Sequence, residues 1–180
     1  MRKINKLIVH CSATPEFKNF DVDDITDWHV NGNGWSDCGY HFVIKIDGTI
    51  QTGRPINKIG AHCFRNNRSS IGICYIGGMN RDMTEWIDTR TPEQKDSLIA
   101  LLMELKEKYS EAVVYGHNDF TDKKVCPCFD AKNEYKYISD LKSIEEKINI
   151  PIKTNKRYLF SIIRQKLVRF IAEPRVILSN

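Results

Sequence analysis

Two apolar runs in this chain each end in a histidine, and a cysteine follows the second at short range. Lys6-Leu7-Ile8-Val9 leads into His10, and Ala112-Val113-Val114-Tyr115-Gly116 leads into His117. Short apolar runs of this kind read as strands buried within a sheet. The chain is therefore constrained to a fold in which two strand ends carry imidazoles. Cys126 lies nine residues beyond His117, across a polar stretch that includes Asp122-Lys123-Lys124. Two imidazoles and a thiolate supply three ligands, the number used by a catalytic zinc site whose fourth position stays open to water. A closed structural site would need a fourth protein ligand, and none is evident at short spacing.

The remaining pattern alternates strands with helices. A helix is expected over Val22–Val30 with Asp21 as its cap. A loop rich in turn formers, Asn31 to Asp37, precedes a strand over Tyr40–Ile46. Asp47-Gly48 is a hairpin signal, and Thr49-Ile50-Gln51-Thr52 forms the return strand. Residues 53–69 read as a long loop, and Ile71–Ile76 as a central strand ending at Gly77-Gly78. The clearest helix spans Pro92–Tyr109: Thr91 caps it, Pro92 takes the first helical position and Gln94 completes a capping box. Leu98, Leu101, Leu102, Leu105 and Tyr109 recur on one helical face. A further helix is expected over Tyr135–Ile148, with Pro151 marking a boundary. The fold class is α/β: a single mixed central β-sheet flanked by helices, followed by a basic helical tail. Residues 1–150 form the catalytic domain in this reading, and residues 151–180 the tail.

Charge is unevenly spread. The net charge of +4 resolves into seven Lys or Arg against Glu173 in residues 151–180, or +6, and 20 basic against 22 acidic residues in 1–150, or −2. A domain at −2 offers no electrostatic support for nucleic-acid binding, and none is expected. No stretch is long and apolar enough to span a bilayer, and Met1–Lys6 lacks the apolar core and cleavage site of a secretory signal. The expected location is the cytoplasm until something releases the protein. In that compartment the six cysteines are expected to be reduced, with Cys74, inside the run Ile71–Ile76, acting as a small core hydrophobe.

Four segments together resemble the zinc-dependent N-acetylmuramoyl-L-alanine amidases of type 2, the superfamily that includes the peptidoglycan recognition proteins. They are Ile8-Val9-His10-Cys11-Ser12-Ala13-Thr14, Gly39-Tyr40-His41-Phe42-Val43-Ile44 with Asp47-Gly48-Thr49, Asn67-Arg68-Ser69-Ser70-Ile71-Gly72-Ile73, and Gly116-His117-Asn118-Asp119 followed by Lys124-Val125-Cys126-Pro127. The pattern resembles most closely the amidase-type phage lysozymes, and it covers roughly Lys6 to Leu141. The resemblance implies one Zn2+ per chain on His10, His117 and Cys126, with Tyr40 and Lys124 as catalytic residues. Cys128 is the rival thiol, but Pro127 and the spacing from Lys124 favour Cys126. His62 resembles a histidine lining the family's substrate cleft, whereas His29 and His41 read as structural. Many cellular members place a catalytic glutamate where Cys74 stands here, so the resemblance points to the phage-type arrangement, which relies on the tyrosine and the lysine.

The implied function is a peptidoglycan hydrolase that cleaves the amide between N-acetylmuramic acid and L-alanine, as a phage or prophage endolysin. The alternatives are a non-catalytic peptidoglycan-binding module of the same fold and a polymerase-binding regulator. In the tail, Leu159, Ile163, Leu167, Phe170 and Ile171 share a helical face amid Arg157, Arg164, Lys166 and Arg169. Such a helix either lies in an anionic membrane interface or buries its apolar face on protein.

Overall fold

The computed structural model describes residues 2–140. Its centre is a five-stranded sheet in the order β4-β3-β5-β1-β7. The strands are β1 (Lys6–Cys11), β3 (Phe42–Ile44), β4 (Ile50–Thr52), β5 (Ser70–Tyr75) and β7 (Val113–Gly116). β1 runs parallel to both neighbours, β5 and β7, and β3 runs parallel to β5, while the β3–β4 hairpin is antiparallel. The sheet is therefore mixed, as the hairpin signal predicts. Every residue of β5 is buried, which explains its uninterrupted apolar run: both faces are covered. The hairpin turns at Asp47-Gly48, where Gly48 takes φ +82° and Lys45 N–H donates to Thr49 O at 2.9 Å.

Past their ends β1 and β5 stay together through a second short parallel pair that the sequence pattern does not signal, β2 (Thr14–Pro15) with β6 (Gly78–Met79).

α1 (Val22–Asp27) starts where predicted, since Asp21 accepts hydrogen bonds from the N–H groups of Asp23 and Asp24. It ends sooner than predicted: from Trp28 to Gly32 the chain widens into a π turn, with Asn33 N–H reaching Trp28 O. Ile25 anchors α1 in a cluster with Cys38, Val43 and Ile76. α2 (Pro92–Lys108) carries the expected capping box between Thr91 and Gln94. Its buried leucines, Leu98, Leu101, Leu102 and Leu105, each contribute about 1.5–3 kcal/mol of apolar burial. Gln94 does more than cap: its buried Nε2 donates to Ile44 O and Ile76 O, tying α2 to the ends of β3 and β5.

The last predicted helix differs from the observed one. α3 (Ala131–Glu134) begins earlier than Tyr135, because Asp130 accepts from Asn133 N–H and starts the turn there. A break at Tyr135 separates it from α4 (Lys136–Ser139). The rest of the predicted helix and the whole basic tail lie outside the described residues.

Candidate active site

Parallel strands place their C-terminal ends at one edge of the sheet, and the site is built there. Val9 pairs with Gly116, so the next residues, His10 and His117, stand side by side with ring centroids 4.6 Å apart. Cys126 joins them from the loop after β7. The loop is fixed by Asn118 N–H donating to Cys126 O at 2.8 Å and by the Tyr75 hydroxyl donating to Pro127 O at 2.7 Å. The Cys126–Pro127 peptide is cis. One ligand atom from each of His10, His117 and Cys126 lies within 4.8 Å of the others. A short inward shift of the side chains brings all three onto one ion at bonds of about 2.0–2.3 Å.

The donor chemistry fits zinc. His10 is 1% exposed, and burial, followed by the nearness of His62 and His117, holds its pKa well below the ordinary value. It is thus the neutral imidazole that a metal needs. Cys11 N–H donates to Cys126 Sγ at 3.2 Å and fixes the direction of the sulfur. Cys128 is turned elsewhere: its thiol donates to Gly78 O and lies 3.7 Å from Cys11 Sγ. The hydrogen bond to Cys126 is the largest influence pushing the Cys11 thiol up to about 12, which keeps it protonated.

Tyr40 precedes β3, with its ring 5.1 Å from that of His10. Burial above all, then the neighbouring thiols of Cys74 and Cys126, raises its pKa well above the ordinary value, so it remains a phenol and a hydrogen-bond donor. Cys74 pairs with His10 across the β1–β5 ladder and is wholly buried. Its own pKa is raised by that burial and moderated by a hydrogen bond with Tyr40. No carboxylate stands at that position.

The structure brings together His10, His117, Cys126, Tyr40 and His62. Lys124 is not in the cluster: it is exposed on the loop, two residues before Cys126, and no hydrogen bond of its side chain occurs among the described residues. His62 is 8% exposed and 3.0 Å from His10. His29 and His41 hold main chain, accepting the N–H groups of Gly39 and Gly72 at 2.9 Å. Residue type alone does not single out three further groups: the Cys11 amide, Ser70 at the start of β5, and Arg90. Arg90 is 6% exposed, makes paired bonds to both Asp88 and Glu134, and lies 3.2 Å over the Phe129 ring, behind the Cys126 loop. Ser70 is reached by His62 from the loop before β5, a tertiary contact with no local signal.

A mixed α/β sheet with a histidine at the end of each of two adjacent parallel strands, and a cysteine brought beside them by the following loop, has the donor set of a candidate metal site in a hydrolase fold. The sequence pattern of the N-acetylmuramoyl-L-alanine amidase family matches residues 1–129, and the chain belongs to that family. The endolysin of Escherichia phage T7 is 43% identical over 126 residues, covering 70% of this chain and 82% of that protein. Among solved structures, the N-acetylmuramoyl-L-alanine amidase LysC from Clostridium intestinale is 31% identical with a TM-score of 0.61, over 83% of this chain and 88% of that one. Drosophila PGRP-LB is 29% identical with a TM-score of 0.62, over 76% and 81%.

Proposed function

We propose that this chain is a zinc-dependent N-acetylmuramoyl-L-alanine amidase, an endolysin that hydrolyses the amide between N-acetylmuramic acid and L-alanine in peptidoglycan. The observation that carries the reading is the convergence of His10, His117 and Cys126 on one point at the sheet edge, in a chain of the amidase family with phage endolysins at 37–43% identity. These three residues would hold one zinc per chain. When bound, zinc supplies a Lewis acid that makes water a nucleophile near neutral pH. Tyr40, kept as a phenol, presents Oη–H beside His10, where it orients the attacking water or delivers a proton to the departing alanine nitrogen. Lys124, exposed two residues before Cys126, would offer its Nζ cation to the negative oxygen of the tetrahedral intermediate. Cys74, wholly buried beside His10 in the β1–β5 ladder, has no share in proton transfer.

No described helix is long and apolar enough to cross a membrane. The endolysin reading has the protein held in the cytoplasm until it is released to the wall. Residues 1–150 are the catalytic unit and residues 151–180 an appendage, whose +6 charge fits an anionic membrane surface.

The deciding measurement is metal content together with product analysis on purified cell wall. One zinc per chain, new N-terminal alanine without new reducing sugar, loss of the zinc and of alanine release on chelation, and recovery of both with added zinc are the expected results. Full hydrolysis by a verified metal-free preparation overturns the zinc reading. Wall binding without product leaves a non-catalytic recognition module.

A further inference from the structure

His10 uses its two ring nitrogens in two directions. Nδ1 is on the Cys126 side, 3.8 Å from Sγ. Nε2 points away from the cluster and lies 3.0 Å from His62 Nδ1. His62 in turn has Nε2 3.3 Å from Ser70 Oγ. All three side chains are buried, with His62 at 8% and Ser70 at 0% exposure.

The proton positions along this line follow from a single condition. With the Nδ1 lone pair of His10 directed at a metal, its proton sits on Nε2 and is donated to His62 Nδ1. His62 then carries its proton on Nε2 and donates it to the Ser70 hydroxyl. Every contact has one donor and one acceptor, and both rings stay neutral. Burial above all holds His62 well below its ordinary pKa, consistent with that state.

The surroundings hold the His62 ring in place. A Cβ on Gly72 would stand 2.5 Å from His62 Cγ and Cδ2, and a Cβ on Gly60 would stand 2.6 Å from Cδ2. The ring thus fills a slot that exists because two glycines flank it. Its main chain is clamped as well: Asn67 Oδ1 accepts from the N–H groups of His62 and Cys63 at 2.9 and 2.8 Å. With both nitrogens engaged, the ring has none left for a substrate.

We propose that His62 is a positioning residue for the metal centre: seated in the Gly60–Gly72 slot and backed by Ser70, it accepts the Nε2 proton of His10 and fixes which nitrogen, in which direction, His10 offers to zinc. The inference rests on His10 being a zinc ligand and replaces the substrate contact expected of His62 from sequence. A group that orients a ligand histidine in this way typically accounts for a 10- to 100-fold change in metal affinity.

The test is zinc affinity by chelator competition on the full chain, with nitrogen NMR of the zinc-loaded protein. His62→Ala should weaken zinc binding by about 10- to 100-fold while the metal-free protein still unfolds cooperatively. His62→Asn, whose Oδ1 stands near the position of Nδ1, should restore most of the affinity. Ser70→Ala should weaken binding less than His62→Ala. In the unaltered protein the spectrum should show His10 protonated at Nε2 and His62 protonated at Nε2. A His62 protonated at Nδ1, or a His62→Ala variant that binds zinc like its parent, overturns the proposal. If His62→Ala fails to fold, the tautomers of the unaltered protein decide. A His10→Ala control separates the two readings: unchanged affinity there would remove His10 from the zinc site, whereas lost affinity there with His62→Ala unchanged removes only the positioning role.

Discussion

Cys126 and Cys128 are two residues apart and chemically alike, yet one meets two imidazoles and an amide N–H while the other meets a carbonyl and a second thiol. Cys126→Ser should therefore lose zinc and hydrolysis together, and Cys128→Ser should keep most of both; metal analysis and wall digestion read the difference. Tyr40→Phe should keep zinc and fold but lose turnover by about a hundredfold or more, the range for proton transfer. Lys124→Ala should fall similarly through loss of oxyanion stabilisation, measurable as kcat at saturating substrate. Near-normal turnover in either would assign that residue to binding alone. His41 yields a pH prediction. Burial, then the Arg2 and Arg54 charges, lower its pKa to about 4, while its Nδ1 is occupied by the Gly72 N–H. The unfolded chain takes up this proton at about pH 6.5 and the folded one only near pH 4, so stability is complete above pH 6.5 and falls as pH drops toward 4, by about 3 kcal/mol. A His41 ring signal that titrates near pH 6.5 in the folded protein would refute this. The meeting of His10, His117 and Cys126 was legible in the sequence because both histidines end apolar runs and the cysteine precedes a proline. The partners of His62 were not, since they depend on how the loop that carries it folds back onto β1 and β5.

The elements repeat this contrast. The β3–β4 hairpin and the start of α2 were readable because their signals are local: Asp47-Gly48 makes the turn and Thr91 with Gln94 makes the cap. The second role of Gln94, donating to two strand-end carbonyls, is a tertiary contact with no local signature. The α3 turn before the expected helix start at Tyr135 escaped for a related reason. Its real start is set by Asp130 and by the Arg90 bonds to Glu134, forty-four residues away in sequence. Arg90→Ala should destabilise the protein by about 3 kcal/mol, the low end for breaking a buried ion pair because the carboxylates reach solvent; denaturant unfolding measures it. In β5, Gly72→Ala should cost about 1–3 kcal/mol through overpacking against the His62 ring, and should weaken zinc binding at the same time. A stable Gly72→Ala protein with normal zinc affinity would show that the slot is looser than described.

At the scale of the whole chain, charge and chemistry are separated along the sequence: the candidate site lies within the first 126 residues and the basic excess after residue 150. A chain shortened to residues 1–150 should therefore fold, bind zinc and cleave purified wall, while losing association with anionic vesicles; sedimentation and vesicle binding test this, and insolubility would assign the tail's apolar face to the core. The same layout has a consequence in time. The first strand of the sheet pairs with the last, Val9 beside Gly116, and the third ligand comes later still. On a ribosome adding about 5–20 residues per second, His10 exists for on the order of ten seconds before Cys126 is made. For most of that interval the nascent chain lacks β7, the neighbour on one side of β1, and throughout it lacks the third candidate ligand. With the proposed ligand set, a chain cut short before Cys126 would lack the third ligand and, with it, the hydrolysis that depends on the metal.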